Sequence, residues 1–267
     1  MGDAHYVPRT AKYVIFTLLI AYFALWLAPD ITAWLNRKPD EAWARVRQTG
    51  VIRFAIDPSY MPFDGLGSHN DFFGIDVEIA QEIARRLGVK VDFVVTGNDS
   101  LYDAVKVGQA EAVISALIVD PNRTSHWKYS TSYFDAGQVL IRPQQSSPAD
   151  RVSSIAVEFG SDGDAAARKI ARRQASVSVK NYSTADEALQ AVVDGTADAA
   201  ILDRVSAAQL LAKKYPTLEI TEQATNDPYA IAVWESSEDL LSEINTTLEL
   251  MRSDGTLQRI IDGWLTR

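Results

Sequence analysis

The stretch Ile75-Asp76-Val77-Glu78-Ile79-Ala80-Gln81-Glu82-Ile83-Ala84-Arg85-Arg86-Leu87-Gly88-Val89-Lys90-Val91-Asp92-Phe93-Val94-Val95 decides the fold. Ile75, Ile79, Ile83 and Leu87 recur every four residues, with Val77, Ala80 and Ala84 beside them, which predicts a helix with one apolar face. Gly88 stops it. Val89, Val91, Phe93 and Val95 then recur every second residue, the period of a strand. Upstream, Val51-Ile52-Arg53-Phe54-Ala55-Ile56 is a second β-branched run, entered through the turn Thr49-Gly50. Strand, helix and strand in this order make a βαβ unit and imply a parallel sheet.

Outward from this unit the alternation continues. A helix is expected over 100–107, ending at Gly108, and a strand over 112–117. Polar, proline-containing text from Arg142 to Pro148 interrupts the pattern. It restarts with strand 154–158, helix 164–173, strand 177–179, helix 184–193, strand 199–202 and helix 205–215. Asn226-Asp227-Pro228 marks a second break, followed by a strand over 229–233 and two amphipathic helices ending at Trp264-Leu265. Residues 103–113 and 189–199 both read as helix, glycine stop, turn and buried strand, although any αβ unit shares that plan. Two similar halves joined at two breaks suggest a hinged pair with a ligand held between them. The expected segments are 1–39 for an N-terminal helix and linker, 40–142 for the first lobe, 143–226 for the second, and 227–267 for a return to the first.

Composition narrows the function. The 267 residues carry 26 basic and 35 acidic side chains, a net charge of 26 − 35 = −9, which argues against a nucleic-acid partner. With no cysteine there is no disulfide, thiolate nucleophile or zinc ribbon. His5, His69 and His126 lie far apart with no metal-ligand spacing, so neither metal nor cofactor is expected.

Residues 13–28 form an uncharged apolar run preceded by Arg9 and Lys12 and closed by Pro29-Asp30. A membrane-spanning helix needs about 20 such residues, so the run reaches that length only with help from its flanks. Tyr13, Tyr22, Trp26 and Trp34 suit the interface. An uncleaved signal anchor, a cleaved signal peptide lacking a good small-x-small site, and a buried helix of the globular part are the three readings. The first is favoured. It places a single-pass anchor in the cell membrane and the remainder in the periplasm or extracellular space.

The segments taken in order are similar to the extracytoplasmic solute-binding proteins of family 3, the amino-acid receptors of ABC importers. Gly50 to Asp57 with Tyr60-Met61-Pro62-Phe63 resembles that family's opening strand and aromatic turn. Phe73-Gly74-Ile75-Asp76-Val77-Glu78-Ile79-Ala80 resembles its signature helix. Gly108 to Ser115, Arg123, Tyr129 to Tyr133 and Asp198 to Asp203 match later stretches. The similarity runs from about Thr49 to Leu265.

The resemblance implies a two-lobe α/β periplasmic binding protein fold of type II, behind one N-terminal transmembrane helix. It also implies a site. Arg123 would pair with a ligand carboxylate through its planar guanidinium, or else be a solvent-facing loop arginine. Asp203 would receive the ligand's ammonium group, or cap the following helix. Tyr60 and Phe63 would cover the ligand side chain, with a core role competing for Phe63. Asp57 would meet a cationic side chain, and Ser115 joins the contacts. Ser161 and Asp162, at a helix start, would offer backbone N–H groups to a carboxylate or serve as ordinary caps. Ala116 and Ile118 stand where the family carries hydroxyls, and Asn98 where it carries an aromatic.

The expectation is therefore a non-enzymatic, membrane-anchored receptor that binds a small polar solute, an amino acid or other carboxylate, and delivers it to an ABC permease. An accessory or sensory subunit with little ligand binding is the alternative. A cyclohexadienyl-dehydratase-like enzyme is a minor one, with Glu158 or Asp57 as acid.

Overall fold

The computed structural model describes residues 39–266 apart from 70 and 148, together with Tyr22. Apart from Tyr22, the expected membrane helix at 13–28 falls outside the described residues. Among the described residues, no helix is long and apolar enough to cross a membrane. Asp40 to Arg267 forms one compact unit.

Helix α1 (Glu41–Thr49) opens the unit, and its cap Asp40 accepts from Trp43 N at 2.9 Å. The same carboxylate accepts from Leu240 N at 2.8 Å, at the start of the later helix α7 (Glu238–Ser253). One buried side chain therefore supplies acceptors at two helix N-termini, where backbone N–H groups lack partners. Gly50, at φ +68°, turns the chain into β1 (Val51–Ile56).

After the short hairpin β2 (Gly65–Leu66) and β3 (Phe72–Phe73), α2 (Ile75–Leu87) and β4 (Lys90–Val95) follow. Both elements match the reading of 75–95, with the strand starting one residue late. Helix α3 (Leu101–Lys106) leads to β5 (Ala112–Val113), far shorter than the expected 112–117. The strand ends early because the backbone turns at Ala116, whose φ is +44°. Strands β6 (Trp127–Tyr129) and, late in the chain, β14 (Ala232–Trp234) complete a sheet ordered β4-β1-β5-β14-β6. β4, β1 and β5 are parallel, and β14 runs antiparallel to β5 and β6.

Phe54 and Ile52 of this sheet pack with Ile79 and Ile83 of α2, Leu248 of α7 and Ile261 of α8 (Thr256–Leu265). Ala55 and Val113 face Leu101 and Val105 of α3 on the other side. The sheet is thus covered on both faces, as a parallel sheet requires. Glu111, 1% exposed, is held by Arg53 Nε at 3.1 Å, Arg53 N at 2.9 Å and Arg45 Nε at 3.2 Å, tying α1 and β1 to the approach of β5.

The second sheet repeats the plan. β8 (Gln138–Pro143), β9 (Ser154–Glu158), β10 (Ser178–Tyr182), β11 (Ala199–Asp203) and β12 (Leu218–Gln223) lie in the order β10-β9-β11-β8-β12. The first three in that order are parallel; β8 and β12 are antiparallel additions. Helix α4 (Asp162–Arg173) covers one face through Ala166 and Ala167. α5 (Ala185–Val193) and α6 (Arg204–Lys213) cover the other through Leu189, Val192 and Ala207.

The expected lobe boundary at 142/143 is displaced. β8 pairs with β11 and β12, so residues 138–142, assigned from sequence to the first lobe, build the second sheet. The chain crosses between sheets at β7 (Phe134–Asp135) and β13 (Pro228–Tyr229), an antiparallel pair. Asp135 Oδ1 accepts from Gly137 N at 3.0 Å, Asp227 N at 2.9 Å and Gln223 Nε2 at 3.1 Å, joining the two crossings. They run so close that a Cβ on Gly137 would lie 2.1 Å from Thr225 O.

Candidate functional site

In open parallel sheets, ligands bind outside the carboxyl ends of the strands. Here the carboxyl ends of both sheets adjoin the two-stranded link. Beyond β5, Ile118 forms an isolated bridge with Tyr229 of β13. Beyond β11, Arg204 N donates to Gly137 O at 3.2 Å, just past β7. The expected site residues divide between these two edges.

On the first edge, Asp57 follows β1. Its N–H donates to Ser115 Oγ at 3.0 Å, and its carboxylate accepts from Asn98 N at 2.9 Å. Asn98, read from sequence as a missing aromatic, thus has a backbone role, opening a single 3-10 turn over Asn98–Ser100. Tyr60 stands 52% exposed, with its ring 5.8 Å from that of Phe63 and nearly parallel to it. The nearby Tyr229 hydroxyl is pushed upward in pKa, first by burial and then by the influence of Tyr60. Phe63 is a correction. It is fully buried, edge-on to Phe134 at 5.2 Å and Tyr229 at 5.1 Å, so it supports Tyr60 from beneath and presents no surface to a ligand.

Ser115 is turned inward. Besides accepting from Asp57 N, its hydroxyl donates to Asp64 Oδ2 at 2.9 Å. Asp64 and Asp76 are both fully buried. Asp76 Oδ2 accepts from Ala116 N at 2.5 Å, and the Tyr133 hydroxyl faces Asp76 without completing a hydrogen bond. Among the described residues, the Oδ1 atoms of both aspartates have no hydrogen-bond partner. Burial, then the neighbouring Asp76 charge, raises the Asp64 pKa against the opposing Ser115 bond. Burial likewise raises that of Asp76 against the Ala116 N–H. Two carboxyl groups in one dry pocket cannot both ionise cheaply, so the pair retains a proton. It fixes the Ser115–Ala116 turn from below and, being sealed, cannot reach a substrate.

Sequence reasoning missed this pair. The signal was present in α2: Asp76, Ala80, Ile83 and Ala84 share one helical face, and all four are buried.

Arg123 lies in the loop after Ile118. Its Nε meets Asp120 Oδ2 at 3.2 Å and its guanidinium lies 4.5 Å from the Tyr102 ring centre. Neither Nη atom has a partner among the described residues, so the fork remains available. On the second edge, Asp203 caps α6 by accepting from Ser206 N at 2.8 Å. Ser161 caps α4, accepting from Asp164 N at 3.1 Å and donating to Glu158 O at 2.8 Å. Asp162 is the first residue of that helix and is exposed. Gly163 packs against Ile201 O, with a Cβ there only 2.6 Å from it, and against Gln138, the register partner of Asp203. Ser161, Asp162 and Asp203 therefore gather at one strand edge.

Residues 52–267, which span both sheets but for the first residue of β1, match the model of the bacterial extracellular solute-binding proteins, family 3. The chain belongs to that family. Among its relatives, the L-cystine-binding protein TcyJ of Escherichia coli (strain K12) is 27% identical over 227 residues, covering 82% of this chain and 84% of the relative. The ABC transporter arginine-binding protein 1 of the same organism is 26% identical over 222 residues, 80% of this chain and 90% of that one. A variant of an ancestral cyclohexadienyl dehydratase, AncCDT-3, shares the fold at TM-score 0.71 and 23% identity, over 86% of this chain and 98% of its own. In this family-3 chain the two-lobe fold is therefore shared with binding proteins and with an ancestral enzyme.

Proposed function

We propose that this family-3 chain captures an amino acid between its two lobes outside the cytoplasm and passes it to an ABC permease, tethered by the apolar run at 13–28. The observation that carries the reading is the placement of two complementary sets of groups at strand edges that adjoin one link. Tyr60 and the free fork of Arg123 belong to the first set, and Asp203, Ser161 and Asp162 to the second. A ligand touching both sets binds the closed form more tightly and shifts the population towards closure. The names of the relatives support an amino acid as ligand, and the fork of Arg123 suits its carboxylate. Isothermal titration of the full chain with an amino-acid panel tests this. Saturable heat lost in Arg123→Ala supports it; no heat for any amino acid overturns it.

One observation favours a second reading, an accessory or sensory subunit with little ligand binding. Ser115 directs its proton to Asp64, and Ala116 and Ile118 offer no side-chain donor. Co-purification with a membrane complex other than a permease, with no titration heat, would select it. An enzymatic role is disfavoured because the two carboxyl groups raised in pKa are sealed from solvent; absence of prephenate turnover would agree.

A further inference from the structure

We propose that the second lobe holds a separate site for an amphipathic organic acid, built around Arg142. A cavity of about 750 Å³ lies against one face of the second sheet, beside the carboxyl-terminal end of α4. The antiparallel pairing that brings β8 into this sheet creates it. Leu140 packs under α4, but two residues further along the same face Arg142 reaches the region near the helix end, where Ile170 and Gln174 line the opening.

Arg142 is 6% exposed, and its described hydrogen bond runs from Nη2 to Asp150 O at 3.2 Å. Its Nε is buried with no hydrogen-bond partner among the described residues. No carboxylate lies within ion-pair distance among the described residues. Asp150 and Glu222 also line the cavity, yet Asp150 Oδ2 accepts from Ser147 N at 2.7 Å and Glu222 is exposed. A guanidinium does not shed its proton, so this is a buried positive charge without a counter-ion, which is costly unless an anion supplies one.

The remaining walls specify the rest of the guest. Leu140, Val152, Ile155, Ile170 and Val177 form an apolar body, while Gln174, Ser176 and Arg151 add donors. The wall is apolar and polar in about equal share, and a concave surface with convergent polar groups beside an apolar patch can hold a small amphipathic ligand. A carboxylate with an aliphatic or aryl body answers both the unpaired charge and the apolar wall. Arg123 and Asp203 have no part in it, so it is distinct from the site between the lobes.

The test uses the full chain with hexanoate as probe and hexanol as its uncharged counterpart, followed by ligand-observed NMR. Hexanoate should bind, hexanol at least about tenfold more weakly, a difference expected for loss of one charge-assisted contact. Arg142→Gln should abolish the preference while leaving amino-acid titration unchanged, and Arg123→Ala should leave hexanoate binding intact. Ile170→Trp, which fills the cavity without touching the charge, should displace hexanoate if Arg142→Gln does not fold. Equal binding of the two probes, no binding of hexanoate, retention in both cavity variants, or loss in Arg123→Ala would each overturn the proposal.

Discussion

Ser115 Oγ donates to Asp64 Oδ2 across 2.9 Å, so the hydroxyl nearest the first sheet's carboxyl edge holds a buried carboxyl group. Burial and the Asp76 charge place the Asp64 pKa at about 9. The folded protein therefore binds a proton that the unfolded chain releases near pH 4, and stability falls as pH rises through that window. Asp64→Asn keeps an acceptor for Ser115 and removes the titration. Its melting temperature should vary less between pH 5 and pH 9, with a gain over wild type of at least about 1 kcal/mol at the alkaline end. Parallel profiles for the two proteins would contradict the buried proton.

Ala116 adopts φ +44°, a conformation that costs an L-residue with a Cβ about 1–2 kcal/mol. Ala116→Gly should raise stability by about 0.5–1 kcal/mol after the added chain entropy of glycine is set against that relief. Thermal unfolding reads this directly, and a lower melting temperature would count against the strain.

Asp203 has two separable roles. Asn caps a helix as well as Asp does, so Asp203→Asn should retain the melting temperature while weakening amino-acid binding at least about tenfold. Asp203→Ala should lose about 1 kcal/mol of stability as well. Titration and thermal unfolding of both variants separate cap from contact; unchanged affinity in Asp203→Asn leaves Asp203 as a cap alone.

Much of the fold was legible in local patterns. The four-residue spacing of Ile75, Ile79, Ile83 and Leu87 gave α2, and glycine stops gave the turns into strands. The antiparallel additions were not legible. β8 holds Arg142 and Pro143 in text that reads as a break, and β12 is largely polar because its alternate residues face solvent. The site was half legible. Asp203 and Ser161 are the caps that their positions allowed, and Tyr60 is exposed. Phe63 and Ser115 point inward because tertiary packing beneath the edge claims them, a competition that spacing along the chain does not reveal.

Gly137→Ala would place a methyl group 2.1 Å from Thr225 O, a backbone atom fixed by the crossing strands. Relief requires the two crossings to separate, at a cost of about 1–3 kcal/mol. Equilibrium unfolding should show that loss, and small-angle scattering should show an altered response to ligand; wild-type behaviour in both would mean the link tolerates separation.

Asp135 gives that link a mechanical character. Because a single oxygen gathers N–H groups from the outgoing strand, the returning strand and the end of β12, neither crossing can twist alone without stripping the other's bonds. The pair behaves as one axle, and whatever rotation the halves undergo must be absorbed by dihedrals on either side of this carboxylate while its own three contacts ride along intact.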